Sequence, residues 1–445
     1  MKKRLQLSDH FTYPMLIRFV MPSVIMMIFT SVYGIVDGLF VSNFVGKTSF
    51  AALNLIYPAL NIIGAIGFML GAGGTAFVGK TLGEGRRDMA NRYFSMLIGA
   101  GAAIGAAAAV IGIIFIPNLA AVLGAGESMT GDCVIYGRVI LIAMPCFILQ
   151  NMFQSFFIVA EKPKLGLLVT VAAGVTNMAL DALFVAVLRW GIFGAALATG
   201  ISQFVGAVIP LVYFLGRNSS LLRITKTKLY GKVLLKSCSN GSSEMVTNIA
   251  ASLMNMLINW QLMRLAGENG VASYGVIMYA SFVFTAIIYG YVIGSSPVIS
   301  YHFGAGNKEE LKSLFRKSMV IMTVIGTLLI IVVLLLSAPL SRFFVGYDTE
   351  LCDMTVHAFR VFLISYFCCT YTIFGSSFFT ALNNGVVSAV LSFTRTFLFE
   401  CGTILVFPFI WGLEGVWWAF VASDSASMFL TLAFLFALRK RYGYL

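Results

Sequence analysis

The sequence predicts an all-α polytopic membrane protein, with twelve transmembrane helices in two parallel-related six-helix bundles. Three observations carry this. Hydrophobic residues make up 59% of the 445, and charged residues only 11%, against about 25% charged in soluble domains. Apolar runs of about 20 residues, the length that crosses a bilayer, recur from end to end. The chain also repeats itself at a spacing of 221 residues.

Twelve spans follow, near 13–43, 50–79, 93–116, 133–159, 165–187, 193–215, 235–263, 270–300, 314–337, 354–381, 386–409 and 414–438. No cleavable signal pattern follows residues 1–12, so the first span is expected to be retained and to target the chain. The net charge of +12 is explained by topology. The termini and even-numbered loops hold Lys2, Lys3 and Arg4; Lys80, Arg86, Arg87 and Arg92; Lys162 and Lys164; Arg217, Arg223, Lys226, Lys228, Lys232 and Lys236; Lys308, Lys312, Arg316 and Lys317; and Arg439, Lys440 and Arg441. Odd-numbered loops hold Lys47, Arg189, Arg264 and Arg342. This positive-inside bias places both termini in the cytoplasm. No nucleic-acid partner is needed to account for the charge. The seven cysteines lie mostly in apolar runs, and neither they nor the three histidines show metal-ligand spacing. His302 reads as a solvated or capping residue, and no cofactor is expected.

The repeat defines the domains. "VGKTSFAALN" (45–54) overlies "AGENGVASYG" (266–275), Gly83 and Gly85 fall on Gly304 and Gly306, and "RWGIFGAALA" (189–198) falls on "IWGLEGVWWA" (410–419). Six spans per copy is an even number, so both copies enter the membrane from the same side. The expected division is a bundle at 1–220, a cytoplasmic linker at 221–234 with lipid-facing apolar residues, and a bundle at 235–445. The glycines at 83–85 and 304–306 read as tight turns. Two linked bundles can rock about a central cavity, as alternating access requires.

Polar residues inside the spans mark candidate sites. The first span carries Pro22, which can bend it, and Tyr33 and Asp37 on one face. The fourth carries Asn151 and Gln154, the fifth Asn177 and Asp181, and the sixth Thr199. The i,i+4 spacing stacks Tyr33 over Asp37 and Asn177 over Asp181. A carboxyl group removed from water holds its proton more tightly, and a second one beside it strengthens that hold. Such a pair can exchange protons, or hold Na⁺ with neighbouring amide and hydroxyl oxygens. At the 221-residue shift Asp37, Asn177, Asp181 and Thr199 fall on Ile258, Leu398, Gly402 and Phe420. A scaffold role would be expected in both copies, so the asymmetry favours function. The second copy instead carries Glu244, Arg395, Glu400 and Asp424. Glu244 and Arg395 read either as an ion pair across helices or as part of a polar binding site.

The two six-span halves, "VDGLFVSNFVG" in the first span, "TLGEG" after the second and "NMALD" in the fifth together resemble the multidrug and toxic compound extrusion (MATE) family over the whole chain. The polar set is most similar to its DinF-like branch. That resemblance implies an antiporter exporting amphipathic, often cationic organic compounds in exchange for H⁺ or Na⁺. It implies a cation site at Asp37, Asn177, Asp181 and Thr199, supported by Tyr33, Asn151 and Gln154, with Pro22 as the bending residue. The NorM-like branch places acids in the seventh and tenth spans; Glu244 fits, but the tenth span holds no acid. The expected partners are small organic substrates and the bilayer, with the chain a monomer. A lipid-linked precursor flippase is the alternative, but its anionic substrate calls for more cations inside the spans. A membrane enzyme is a weaker reading, because no nucleophile–base pair or metal cluster is present.

Overall fold

The structure, a computed structural model, describes residues 5–445. Lys2, Lys3 and Arg4, and the side chain of Lys47, lie outside the described residues. Those described form helices and turns with no strand. Ten helical runs are long and apolar enough to cross a membrane. Two of them break at a glycine with non-helical dihedrals, Gly267 and Gly412, and so form two spans each. The twelve helices are α1 Tyr13–Phe44, α2 Lys47–Gly83, α3 Arg87–Val122, α4 Glu127–Val159, α5 Pro163–Asp181 with a π-helical extension Ala182–Val187, and α6 Gly191–Leu215. Then come α7 231–266, α8 268–304, α9 Lys308–Val345, α10 Thr349–Ala381, α11 Gly385–Phe393 continued by a π-helical Thr394–Glu400 to residue 411, and α12 413–442.

The repeat is visible in the backbone. Gly46 and Gly267, Gly85 and Gly306, and Gly191 and Gly412 all have positive φ, from 56° to 101°. Each pair is separated by 221 residues. A side chain disfavours that region, so glycine at these turns fixes where each copy reverses direction. Gly83 and Gly304 have another role, because they sit where helices cross.

The turns after α2, α4, α6, α8 and α10 lie at one end of the molecule, here called the basic end. There the bundles meet through small residues. A Cβ on Gly83 would lie 2.0 Å from the Tyr301 carbonyl oxygen, and one on Gly304 would lie 2.1 Å from that of Lys80. Further in, Gly73 abuts Ser237 and Gly241 abuts Met69 at 1.9 Å on the same measure. With no hydrophobic force between helices in lipid, such close backbone packing is what holds them. α1 joins in, with Val20 and Val24 set against Gly294 and Gly290 of α8.

Residues 217–230 run as an irregular strap along α3 and are not helical. Arg223 N–H donates to Asn91 Oδ1 at 2.9 Å and Thr225 N–H to Ser95 Oγ at 2.8 Å. Leu222 is fully buried in the first bundle's core, so the expectation that the linker's apolar residues all face lipid is corrected; Leu229 alone is widely exposed. The last four residues of the expected linker, 231–234, already belong to α7. His302 is buried at the basic end of α8, at 3% exposure, and is not solvated.

Candidate functional site

Asp181 closes the regular part of α5, where the helix widens into its π-helical turn. Such bulges recur at functional sites because they re-aim side chains. Its side chain is fully buried, and Asn177, one turn earlier, is 2% exposed. Across from them α1 presents Asp37, within side-chain hydrogen-bonding reach of both Asp181 and Asn177. Close packing of α1 on α5 brings this about: a Cβ on Gly174 would strike Phe29 and meet Tyr33 at 3.0 Å. Among the described residues, neither Asp181 oxygen, nor Asp37 Oδ1, nor Asn177 Oδ1 finds a donor. Two carboxylates have no proton to share with each other unless one arrives. The contact becomes a hydrogen bond when the pair holds a proton, or a salt contact when a cation sits between the oxygens.

Tyr33, one turn before Asp37 on α1, interacts with it electrostatically. Two further tyrosines that sequence reasoning missed lie within electrostatic range of the pair. Tyr57 of α2 interacts electrostatically with Asp37, and Tyr136 of α4 with both aspartates. Neither sits at a telling spacing from an acid in the sequence; only the packing of α2 and α4 brings them in.

The other members of the expected set lie apart. Thr199 is half-buried on α6, and among the described residues no hydrogen bond joins it to Asp37, Asn177 or Asp181. The Asn151 amide donates to Phe147 O at 3.1 Å within α4 and packs against Gly67 of α2. Gln154 lines a separate small cavity between α4, α5 and α6, with Gln150 and Thr170. Pro22 is buried inside α1, which runs unbroken from Tyr13 to Phe44.

In the second bundle, Glu244 of α7 and Arg395 of α11 line one small cavity. Thr247, Tyr289, Thr372, Ser376, Ser392 and Thr431 surround it with hydroxyls. The two charges do not pair. Arg395 Nη2 instead meets Asp424 Oδ1 on α12 at 3.2 Å, and Ser365 Oγ donates to the other Asp424 oxygen. The expected Glu244–Arg395 ion pair is therefore replaced by one to α12, because the π-helical turn that carries Arg395 packs against that helix. Glu400 ends the same turn and senses Arg395 electrostatically without lining the cavity. No group of three or more His, Cys, Asp or Glu among the described residues is arranged to hold a metal ion.

The MatE family profile matches residues 22–183 and 245–402, one stretch in each bundle. The chain is a MATE family transporter. It is accordingly a multi-pass membrane protein and not an enzyme. Relatives include multidrug export protein MepA of Staphylococcus haemolyticus (strain JCSC1435), 23% identical over 435 residues, covering 96% of this chain and 94% of its own. MepA of Staphylococcus aureus (strain MSSA476) is 22% identical over 428 residues with the same coverage. Among solved structures, the outward-facing conformation of a multidrug resistance MATE family transporter superposes with a TM-score of 0.91 at 21% identity, covering 99% of each chain. A MATE in the straight conformation gives 0.91 over 99% of this chain and 100% of that one, and a MATE in the bent conformation 0.87 over 96% of each, both at 21% identity. At these identities the likeness establishes the MATE fold, and the chemistry rests on the residues above.

Proposed function

We propose that this MATE transporter exports amphipathic, cationic organic compounds across the inner membrane in exchange for H⁺ or Na⁺. The observation that supports the coupling mechanism is the contact of Asp37 with Asp181 and Asn177, in which both oxygens of buried Asp181 lack a protein donor. The multidrug export named for its relatives supports the substrate class. The basic loops support a cytoplasmic placement of the closed end.

In this reading the bundles 1–220 and 235–445 rock about the linker as a monomer. The closed basic end leaves substrate access from the opposite side. A cation entering between Asp37 and Asp181 neutralises a repulsion between two carboxylates and draws α1 onto α5. That disfavours the substrate-loaded, outward-facing state and drives release; Pro22, where α1 lacks a backbone hydrogen bond, is the place for it to bend. Tyr57 and Tyr136 supply hydroxyls to the loaded pair. Thr199 and the amides of Asn151 and Gln154 join this set only if the bundle repacks on loading.

The test is efflux from proteoliposomes under a separately imposed proton or sodium gradient. Asp37→Asn and Asp181→Asn are expected each to abolish gradient-driven efflux, and Asp181→Asn to leave thermal stability near wild type, because neither Asp181 oxygen has a protein donor to lose. Gradient-driven transport at wild-type rate in both variants would overturn the site. Whichever gradient drives the wild type identifies the ion.

A further inference from the structure

The segment ahead of α1 lies across the basic end and touches both bundles. On the first bundle, Leu7 N–H donates to Glu161 Oε1 at 2.7 Å. Glu161 occupies the α4–α5 turn with φ of 57°. On the second bundle, Phe11 N–H donates to Glu310 Oε1 at 3.0 Å, and His10 Nδ1 meets the other Glu310 oxygen. Lys317, two turns further along α9, donates to the Phe11 carbonyl. Leu7 and Phe11 are fully buried. They belong to an apolar cluster that joins Ile158 of α4 to Leu382 and Tyr444 of the second bundle.

The second bundle answers with a cross-tie of its own. Asn383 holds the corresponding turn between α10 and α11, also left-handed at φ of 56°. Its side-chain amide donates to Ala76 O on α2 at 3.2 Å. Structurally matched turns therefore each contribute a side chain to a tie between bundles, one made directly and one through the segment Leu7–Thr12.

We propose that this segment is a releasable latch: clasped by Glu161 on one bundle and Glu310 on the other, it holds the basic end shut and lets go of Glu161 when that end opens. The anchors on α9 are charged and backed by buried Phe11, so the segment stays with the second bundle. A main-chain N–H bound to a carboxylate in a part-buried turn is the joint that can break and re-form in each cycle. Glu161 and Glu310 are thus positioning residues, acting on access through the segment they hold.

The latch rests on the alternating-access reading, but its test needs neither substrate nor ion gradient. Amide hydrogen exchange of the full chain in lipid nanodiscs is compared for wild type, Glu161→Ala and Glu161→Gln, the last retaining an acceptor oxygen for Leu7. A hydrogen bond to a charged group is worth about 10-fold or more in an equilibrium, so a change of about 2-fold is a lower bound. Glu161→Ala is therefore expected to speed exchange at 76–86 and 300–307 by at least about 2-fold, with turns 123–126 and 346–348 at the opposite end unchanged. Glu161→Gln should lie near wild type. Phe11→Ala, which loosens the other anchor, should change exchange in the same direction as Glu161→Ala. Faster exchange confined to residues 5–12, with the α2 and α8 ends unmoved, would overturn the latch, as would equal effects of Ala and Gln at position 161. A transporter lacking gradient-driven efflux but showing this exchange pattern would sink the coupling site and keep the latch.

Discussion

Asp181 and Asp424 are both carboxylates buried within helical bundles, yet their surroundings assign them different work. Asp424 accepts from Arg395 and Ser365 and so has its charge spoken for. Asp181 accepts from no protein donor. Removing one partner of a fully buried ion pair strands the other charge, at a cost of about 3–5 kcal/mol; Arg395 keeps 24% of its side chain open, which lowers the cost here. Asp424→Asn is thus expected to lower the thermal unfolding midpoint of the purified protein clearly, with Arg395→Met/Asp424→Leu recovering most of the loss. A midpoint unchanged in Asp424→Asn would show that the pair is dispensable. At this scale the sequence announced which residues were out of place, because a charge in an apolar run is conspicuous wherever it points. It could not announce their partners. Arg395 was matched to Glu244 on sign alone, and the choice of Asp424 depends on a π-helical turn that no residue pattern marks.

Helix crossings set the next scale. Gly83 and Gly304 let α2 and α8 approach until the backbone of one fills the space where the other's side chain would stand. Their neighbours Gly85 and Gly306 make the turns, at φ of 78° and 67°. Alanine at either crossing position must push the helices apart, since the obstacle is a carbonyl oxygen and not the end of a flexible side chain. Gly83→Ala and Gly304→Ala are expected to destabilise the closed basic end. The reading is faster hydrogen exchange at the basic ends of α2 and α8, and slower export. Gly99→Ala, at a position with open space around it, should behave as wild type. Closure unaffected by both crossing variants would contradict the packing described here. Helix number was legible in the sequence, because apolar runs and glycine turns are local signals; the ends were not, since helices such as α3 and α9 run six to eight residues beyond the apolar spans at 93–116 and 314–337. The glycines' division between turning and crossing was not, since each pair sits within three residues and reads as one turn.

Across the whole molecule the repeat organises architecture but not chemistry. Paired left-handed glycines 221 residues apart give both halves the same path through the membrane. The first half holds Asp37 against Asp181, whose oxygens have no protein donor, while the second lines its interior with Glu244, hydroxyls and a guanidinium paired to Asp424. The proposed coupling has the first copy respond to a cation while the second serves as the frame it moves against. For that to work the halves must be held by contacts and not by the linker alone. α2 meets α7 and α8 without help from residues 217–230, which hydrogen-bond to α3 of their own bundle. Arg223, Lys226 and Lys228 lie exposed along that strap. Trypsin is therefore expected to cut it in inside-out vesicles and to spare it in intact spheroplasts. After detergent extraction the two six-helix fragments should elute together in gel filtration. Cleavage from the outer face alone would invert the topology drawn from the basic loops. Fragments that separate on extraction would mean that the linker, and not the glycine crossings, keeps the bundles in register.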